Sequence, residues 1–112
     1  MKKEISTNKA PEAIGPYSQG IETENLIFLS GQIPLDPNTM KLVEGDENQI
    51  RQVFKNIDAL CDEVGLNLNH IVKLNVSLQD LSLFNLVNEV MKELFVEPYP
   101  ASCLLYTSPS PR

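Results

Sequence analysis

A chain of 112 residues with 42% hydrophobic and 21% charged side chains has the make-up of one small globular domain, short enough to gain from oligomerising. Its net charge of −6, from 9 basic and 15 acidic residues, argues against a phosphate backbone as main partner, because non-specific nucleic-acid affinity comes from Lys and Arg. Two cysteines, one histidine and no CxxC exclude a zinc site; no stretch is apolar enough to cross a bilayer, and the lysines of MKKEISTNKAPEA lead into no apolar signal segment, so a cytoplasmic protein without a membrane partner is expected.

In chain order, residues 2–6 (KKEIS) suit a short edge strand, and NKAPEAIGPYSQG, with two prolines and two glycines, reads as loop and turn. A second strand starts within 18–24. The apolar run LIFLSGQI over 26–33 predicts a strand buried on both faces. A long loop follows, with a small excursion at 41–43. Residues 46–64 carry Ile50, Val53, Phe54, Ile57, Leu60, Cys61 and Val64 at unbroken helical spacing, with Asp46 and Gln49 in capping-box positions and Gly65 as the stop. Cys61 then reads as a small buried hydrophobe.

Residues 71–79 alternate Val72, Leu74, Val76 and Leu78 with polar neighbours, which predicts a strand joined to its predecessor by a parallel crossover. Residues 82–95 predict a second helix, ended by Pro98 and Pro100. The order ββαβα, without repeat or linker, gives a two-layer α+β fold: a mixed sheet with two helices on one face.

Four places invite a chemical reading, and each has a plain alternative. Tyr17 follows Gly-Pro on a constrained turn: it faces a ligand or caps the core as an aromatic lid. Ser30 and Gly31 end an apolar strand, where a small residue before glycine admits close ligand approach or marks a β-bulge. With no GxSxG context and no nearby histidine, Ser30 is not read as a nucleophile. Asn88 shares a stripe with Phe84, Met91 and Phe95, so its amide serves a ligand, another subunit or the local backbone. His70, in polar LNLNH, is given no role.

Taken together and in order, IGPYSQ, SGQIP and FNLVNEVMKELFVEPYPA make residues 1 to about 101 resemble the RidA/YjgF family of reactive-intermediate deaminases. The resemblance implies a chorismate-mutase-like α+β fold, a homotrimer with clefts between subunits, and hydrolysis of 2-imino acids and their enamine tautomers to 2-oxo acids and ammonia. The imines come from pyridoxal-phosphate enzymes, and no cofactor or metal is used. Residue by residue, Tyr17 would line the cleft, Ser30 and Gly31 would form its floor and offer backbone contacts, and Asn88 would sit at the pocket, contributed by the second helix. The alternative is a non-enzymatic trimeric ligand-binding or chaperone-like protein of the same fold. An RNA-acting reading is disfavoured by the acidic balance.

The family's carboxylate-binding arginine follows "PA", where this chain has Ser102. A guanidinium fork matches a carboxylate bidentately, and serine does not. Residues Cys103 to Arg112, CLLYTSPSPR, resemble one reading frame of a transposon-type sequencing adapter. The expectation is therefore a single domain over 1–101 lacking its last two strands and followed by a foreign tail over 102–112. Such a chain would be poorly soluble and inactive, with neither Arg112 nor Cys103 standing for a family residue.

Overall fold

The computed structural model describes residues 1–106. The chain divides into two compact units, Met1–Asn67 and Leu68–Arg112, at a point where the sequence shows no linker.

In the first unit, β1 (Lys3–Ile5), β2 (Gly20–Glu22) and β3 (Ile27–Leu29) form an antiparallel sheet in the order β1-β2-β3. This is one strand more before the first helix than the ββαβα order counts. Gly20 is paired with Ile5 on one side and Leu29 on the other. A Cβ there would lie 2.8 Å from the Leu29 side chain and 3.3 Å from that of Ile5, so glycine lets these two residues close over β2. Ile5, Ala10 and Leu60 form the buried centre, with Ile27, Leu29, Ala59 and Val64 packed against it.

Leu60, Ala59 and Val64 come from α1 (Asp46–Glu63) and the residue that ends it. The helix stops as expected. Val64 is the C-cap, Gly65 has φ of 77°, and the N–H groups of Gly65 and Leu66 donate to the carbonyls of Asp62 and Cys61. That is a Schellman closure, in which glycine takes the left-handed position. The start differs from the capping-box expectation. Gly45, at φ 93°, is the N-cap, no side chain caps the helix, and the Gln49 amide reaches back to the Val43 carbonyl at 3.0 Å. Asp46 sits inside the first turn, where its charge favours the positive end of the helix.

The expectation of a strand buried on both faces over 26–33 is not met. Only Ile27–Leu29 is strand; Ile27 and Leu29 turn to the core cluster, while Leu26, Phe28 and Ile33 are 55%, 60% and 58% exposed. The reason is the antiparallel meander, which needs a covering layer on one face alone. The excursion near 41–43 is present as a bridge between Leu35 and Leu42.

The second unit opens with a 3₁₀ turn, Leu68–His70, followed by β4 (Lys73–Leu78), a second 3₁₀ turn (Leu81–Leu83), α2 (Phe84–Leu94) and β5 (Ala101–Tyr106). Along β4, Leu74, Val76 and Leu78 are half-buried and Lys73, Asn75 and Ser77 exposed, as the alternation predicts. Val72 lies before the strand and is 74% exposed. Asp80 starts the next turn by accepting the Ser82 N–H at 2.9 Å. Hydrogen bonds from the Ser82 side chain and then its backbone hold the Asp80 carboxyl below its ordinary value. The helix buries Val87 and Val90 and ends before Pro98, whose bond to Glu97 is cis.

The tail expectation requires a correction. Residues 101–106 do form a strand, pairing parallel with β4 from Lys73↔Ala101 to Leu78↔Tyr106. Leu104, Leu105 and Tyr106 have strand propensity, and the prolines that would prevent pairing come only at 109 and 111. The parallel crossover expected around α1 is thus found around α2. Strand pairing also gives two sheets, one antiparallel and one parallel, where a single mixed sheet was expected. The α+β class and its two helices are as predicted. Residues 107–112 of the adapter-like stretch lie outside the described residues.

Candidate functional site

Tyr17 sits on a tight loop made by Gly15 and Pro16. Gly15 has φ of 134°, a conformation that glycine tolerates and other residues resist. The Tyr17 N–H donates to the Gly15 carbonyl at 2.9 Å, and its hydroxyl accepts the Ile14 N–H at 3.3 Å. The ring therefore folds over its own loop, 53% exposed, and is no lid on the core.

Ser30 continues the β2–β3 ladder one step beyond Leu29. Its N–H donates to the Gln19 carbonyl at 3.0 Å, in register with the Gly20↔Leu29 pair, so there is no bulge at this residue. Its hydroxyl donates to the Ser18 carbonyl at 2.6 Å. Ser30 is thus tied to Ser18, the residue that follows Tyr17. Gly31 is exposed, and a Cβ built there would meet nothing within 4 Å, so packing does not require glycine at this place.

Two buried amides hold these segments, and the sequence reading named neither. Gln19 is 6% exposed; its Oε1 accepts the Thr7 N–H at 2.7 Å, and its Nε2 donates to the carbonyls of Thr7, Ala10 and Pro11 at 3.0, 3.3 and 2.8 Å. It fastens the 7–11 loop to the start of β2. Asn56 of α1 is fully buried; its Nδ2 donates to the Ile33 and Leu35 carbonyls at 3.3 and 3.0 Å, and its Oδ1 accepts from Gln52 at 2.8 Å. It fixes the exit of the SGQIP segment. The signal was present for Asn56: an amide three residues from Val53 and four from Leu60 lies on the apolar face. For Gln19 no spacing reveals the role, because its partners are backbone carbonyls of a loop.

Asn88 belongs to the second unit. It is half-buried on α2, beside the stripe of Val87 and Val90, while Phe84 of its expected stripe is 41% exposed. Ser102 is exposed and pairs with Leu74 in the β4–β5 ladder. His70 is exposed. Cys61 is buried as expected, with its thiol pushed up first by burial and then by Asp58, so it is a poor nucleophile. No cluster of three metal-ligating side chains exists among the described residues. Cavities of about 680 and 390 Å³ lie in the first unit, one along Gln52, Lys55, Asp58 and Asp62, the other around Thr7, Ala10 and Gln19; neither contains Tyr17, Ser30 or Gly31.

Residues 7–108 match the family described as Endoribonuclease L-PSP, which includes the RidA/YjgF proteins. The chain belongs to this family. The match runs past residue 101, where the resemblance read from the motifs ends. A RutC family protein of Pyrococcus abyssi is 46% identical over 112 residues, covering 99% of this chain and 88% of that protein. A mouse protein named 2-iminobutanoate/2-iminopropanoate deaminase is 39% identical over 113 residues, covering 100% of this chain and 84% of its own length. The crystal structure of RidA from an Antarctic Psychrobacter matches with a TM-score of 0.92 at 46% identity, over 98% of this chain and 89% of that one.

Proposed function

We propose that this protein is an imine hydrolase of the reactive-intermediate deaminase type. It would convert 2-imino acids to 2-oxo acids and ammonia. Water adds to the C=N carbon, the proton it loses passes to nitrogen, and the carbinolamine collapses with loss of ammonia. The observation that carries this reading is 39% identity to a named deaminase across all of this chain, with the Ser30 hydroxyl anchored on the Ser18 carbonyl, one residue along from Tyr17. Tyr17, Ser30 and Gly31 would form one wall of the site. The chemistry asks only for positioning and polarisation, so no cofactor or metal is needed. Assembly with further copies, a homotrimer on the family resemblance, would cover Leu26, Phe28 and Ile33, which are more than half exposed in the single chain.

Position 102 decides how well such a site works. An arginine there would grip the substrate carboxylate with two charge-assisted hydrogen bonds; Ser102 offers one hydroxyl. Imine generated in situ by a pyridoxal-phosphate dehydratase, with 2-oxo acid formation followed against semicarbazide trapping, tests this directly. The Ser102→Arg variant should exceed the present chain by at least about a hundredfold, from two bonds of roughly 1.5 kcal/mol each. Failure of both chains to accelerate hydrolysis would refute the reading.

Ser102 itself favours the second reading, a ligand-binding member of the same fold without catalysis. Ligand binding without turnover in both chains would establish it. The net charge of −6 speaks against RNA as substrate or partner, and a filter-binding assay at low salt should show none.

A further inference from the structure

We infer that Ser30 meets its ligand as a hydrogen-bond acceptor only, so that the site selects for molecules presenting an N–H, the imine, iminium or enamine, over the 2-oxo acid formed from them. The inference rests on the proposal that Ser30 lines the substrate site, and it adds the polarity of that contact.

A serine hydroxyl has one proton and two lone pairs. The Ser30 hydroxyl lies 2.6 Å from the Ser18 carbonyl oxygen, at the short end of the range for O–H···O bonds. A carbonyl has no proton to give, so the bond has one possible direction and the Ser30 proton is committed to Ser18. The backbone N–H of Ser30 is committed as well, to the Gln19 carbonyl. The Gln32 amide nitrogen donates to the Ser30 carbonyl at 3.1 Å. Half-buried Ser30 therefore presents only lone pairs outward.

Gln19 keeps this polarity in place. Its side chain ties the 18–19 peptide to the carbonyls of Thr7, Ala10 and Pro11, and Ala10 is part of the buried centre with Ile5 and Leu60. The acceptor for the Ser30 proton is thus braced by the core, and turning the hydroxyl around would leave the Ser18 carbonyl without its partner. An iminium N–H, an enamine N–H or an ammonium completes the contact. The oxygen of a 2-oxo acid would instead bring lone pairs against lone pairs. Such a contact holds the nitrogen-bearing substrate and releases the product.

The test titrates 2-aminobutanoate, an ammonium donor, and 2-oxobutanoate, an acceptor, by calorimetry. Each is run against the full chain and its Ser30→Ala and Ser30→Thr variants, with Ser102 and with the Ser102→Arg change. Ser30→Ala should weaken the amino acid by at least about tenfold and leave the oxo acid within about twofold, and Ser30→Thr should restore the amino acid. Unchanged oxo-acid binding also shows that the variant has folded. Equal weakening of both ligands, or a larger loss for the oxo acid, overturns the inference while the site assignment stands. Absence of binding of either ligand, with Ser102 or with Arg at 102, overturns the site assignment and the inference with it.

Discussion

Replacing Gln19 with alanine tests the brace on which the Tyr17–Ser30 arrangement depends. The substitution removes four hydrogen bonds. Those to Ala10 and Pro11 are buried, and those to the Thr7 backbone are partly reachable by water. Counting the two buried carbonyls alone, at about 1–2 kcal/mol for each orphaned acceptor, the loss is about 3 kcal/mol. Against a total of roughly 5–15 kcal/mol for a small domain, that is a large share, and it lowers the midpoint of thermal unfolding by roughly 12 °C at about 4 °C per kcal/mol. Urea unfolding followed by circular dichroism measures it, with the denaturant slope checked for constancy between variants. Gln19→Glu should cost more than alanine at neutral pH, because its charge would face three carbonyl oxygens. A loss below about 1 kcal/mol for alanine, or a glutamate better tolerated than alanine, would refute the clamp.

Asn56→Ala should cost about 1–2 kcal/mol, since it frees the Ile33 and Leu35 carbonyls, which are only partly buried although the Asn56 side chain itself is fully buried; Asn56→Asp should be worse at pH 7 and partly recover at pH 4 as its proton returns, which urea titrations at both pH values would show. In thiol labelling, exposed Cys103 should react at once in the native protein while Cys61, buried and with a raised thiol pKa, waits for denaturant; two fast equivalents would contradict the buried assignment. The Asp80 carboxyl, held below its ordinary value by Ser82, contributes stability that is complete above the unfolded-state value and is lost as pH falls through the lower folded one. A carboxyl NMR titration of Asp80 should therefore give a midpoint below the 3.8 of a free aspartate, and Asp80→Ala should remove the pH dependence in that window. Sequencing the source DNA through codon 102 bears on the tail: arginine there would mark Ser102 as a junction residue, and serine would leave the carboxylate without its fork.

Local patterns in the sequence determined a good part of this protein. Periodicities of 3.6 and 2 placed both helices and β4, because one apolar face must be buried whatever it is buried against. Gly65 ended α1 because the left-handed turn there is a backbone requirement. The motif order alone points to the family and to Tyr17, Ser30, Gly31 and Asn88 as its expected site residues.

Other features depended on contacts between residues far apart in the chain. Leu26, Phe28 and Ile33 stay exposed while Ile27 and Leu29 turn to the core because the antiparallel sheet packs that face on the core cluster, which an apolar run alone does not reveal. The strand at 101–106 formed because β4 offered it a parallel edge, against weak local propensity in Ala101 to Cys103. Gln19 and Asn56 serve backbone carbonyls 8 to 23 positions distant, and side-chain spacing carries no information about such partners. The direction of the Ser30 hydroxyl was likewise a tertiary fact: the sequence supplied the proton, and only the fold placed the Ser18 carbonyl 2.6 Å away to receive it.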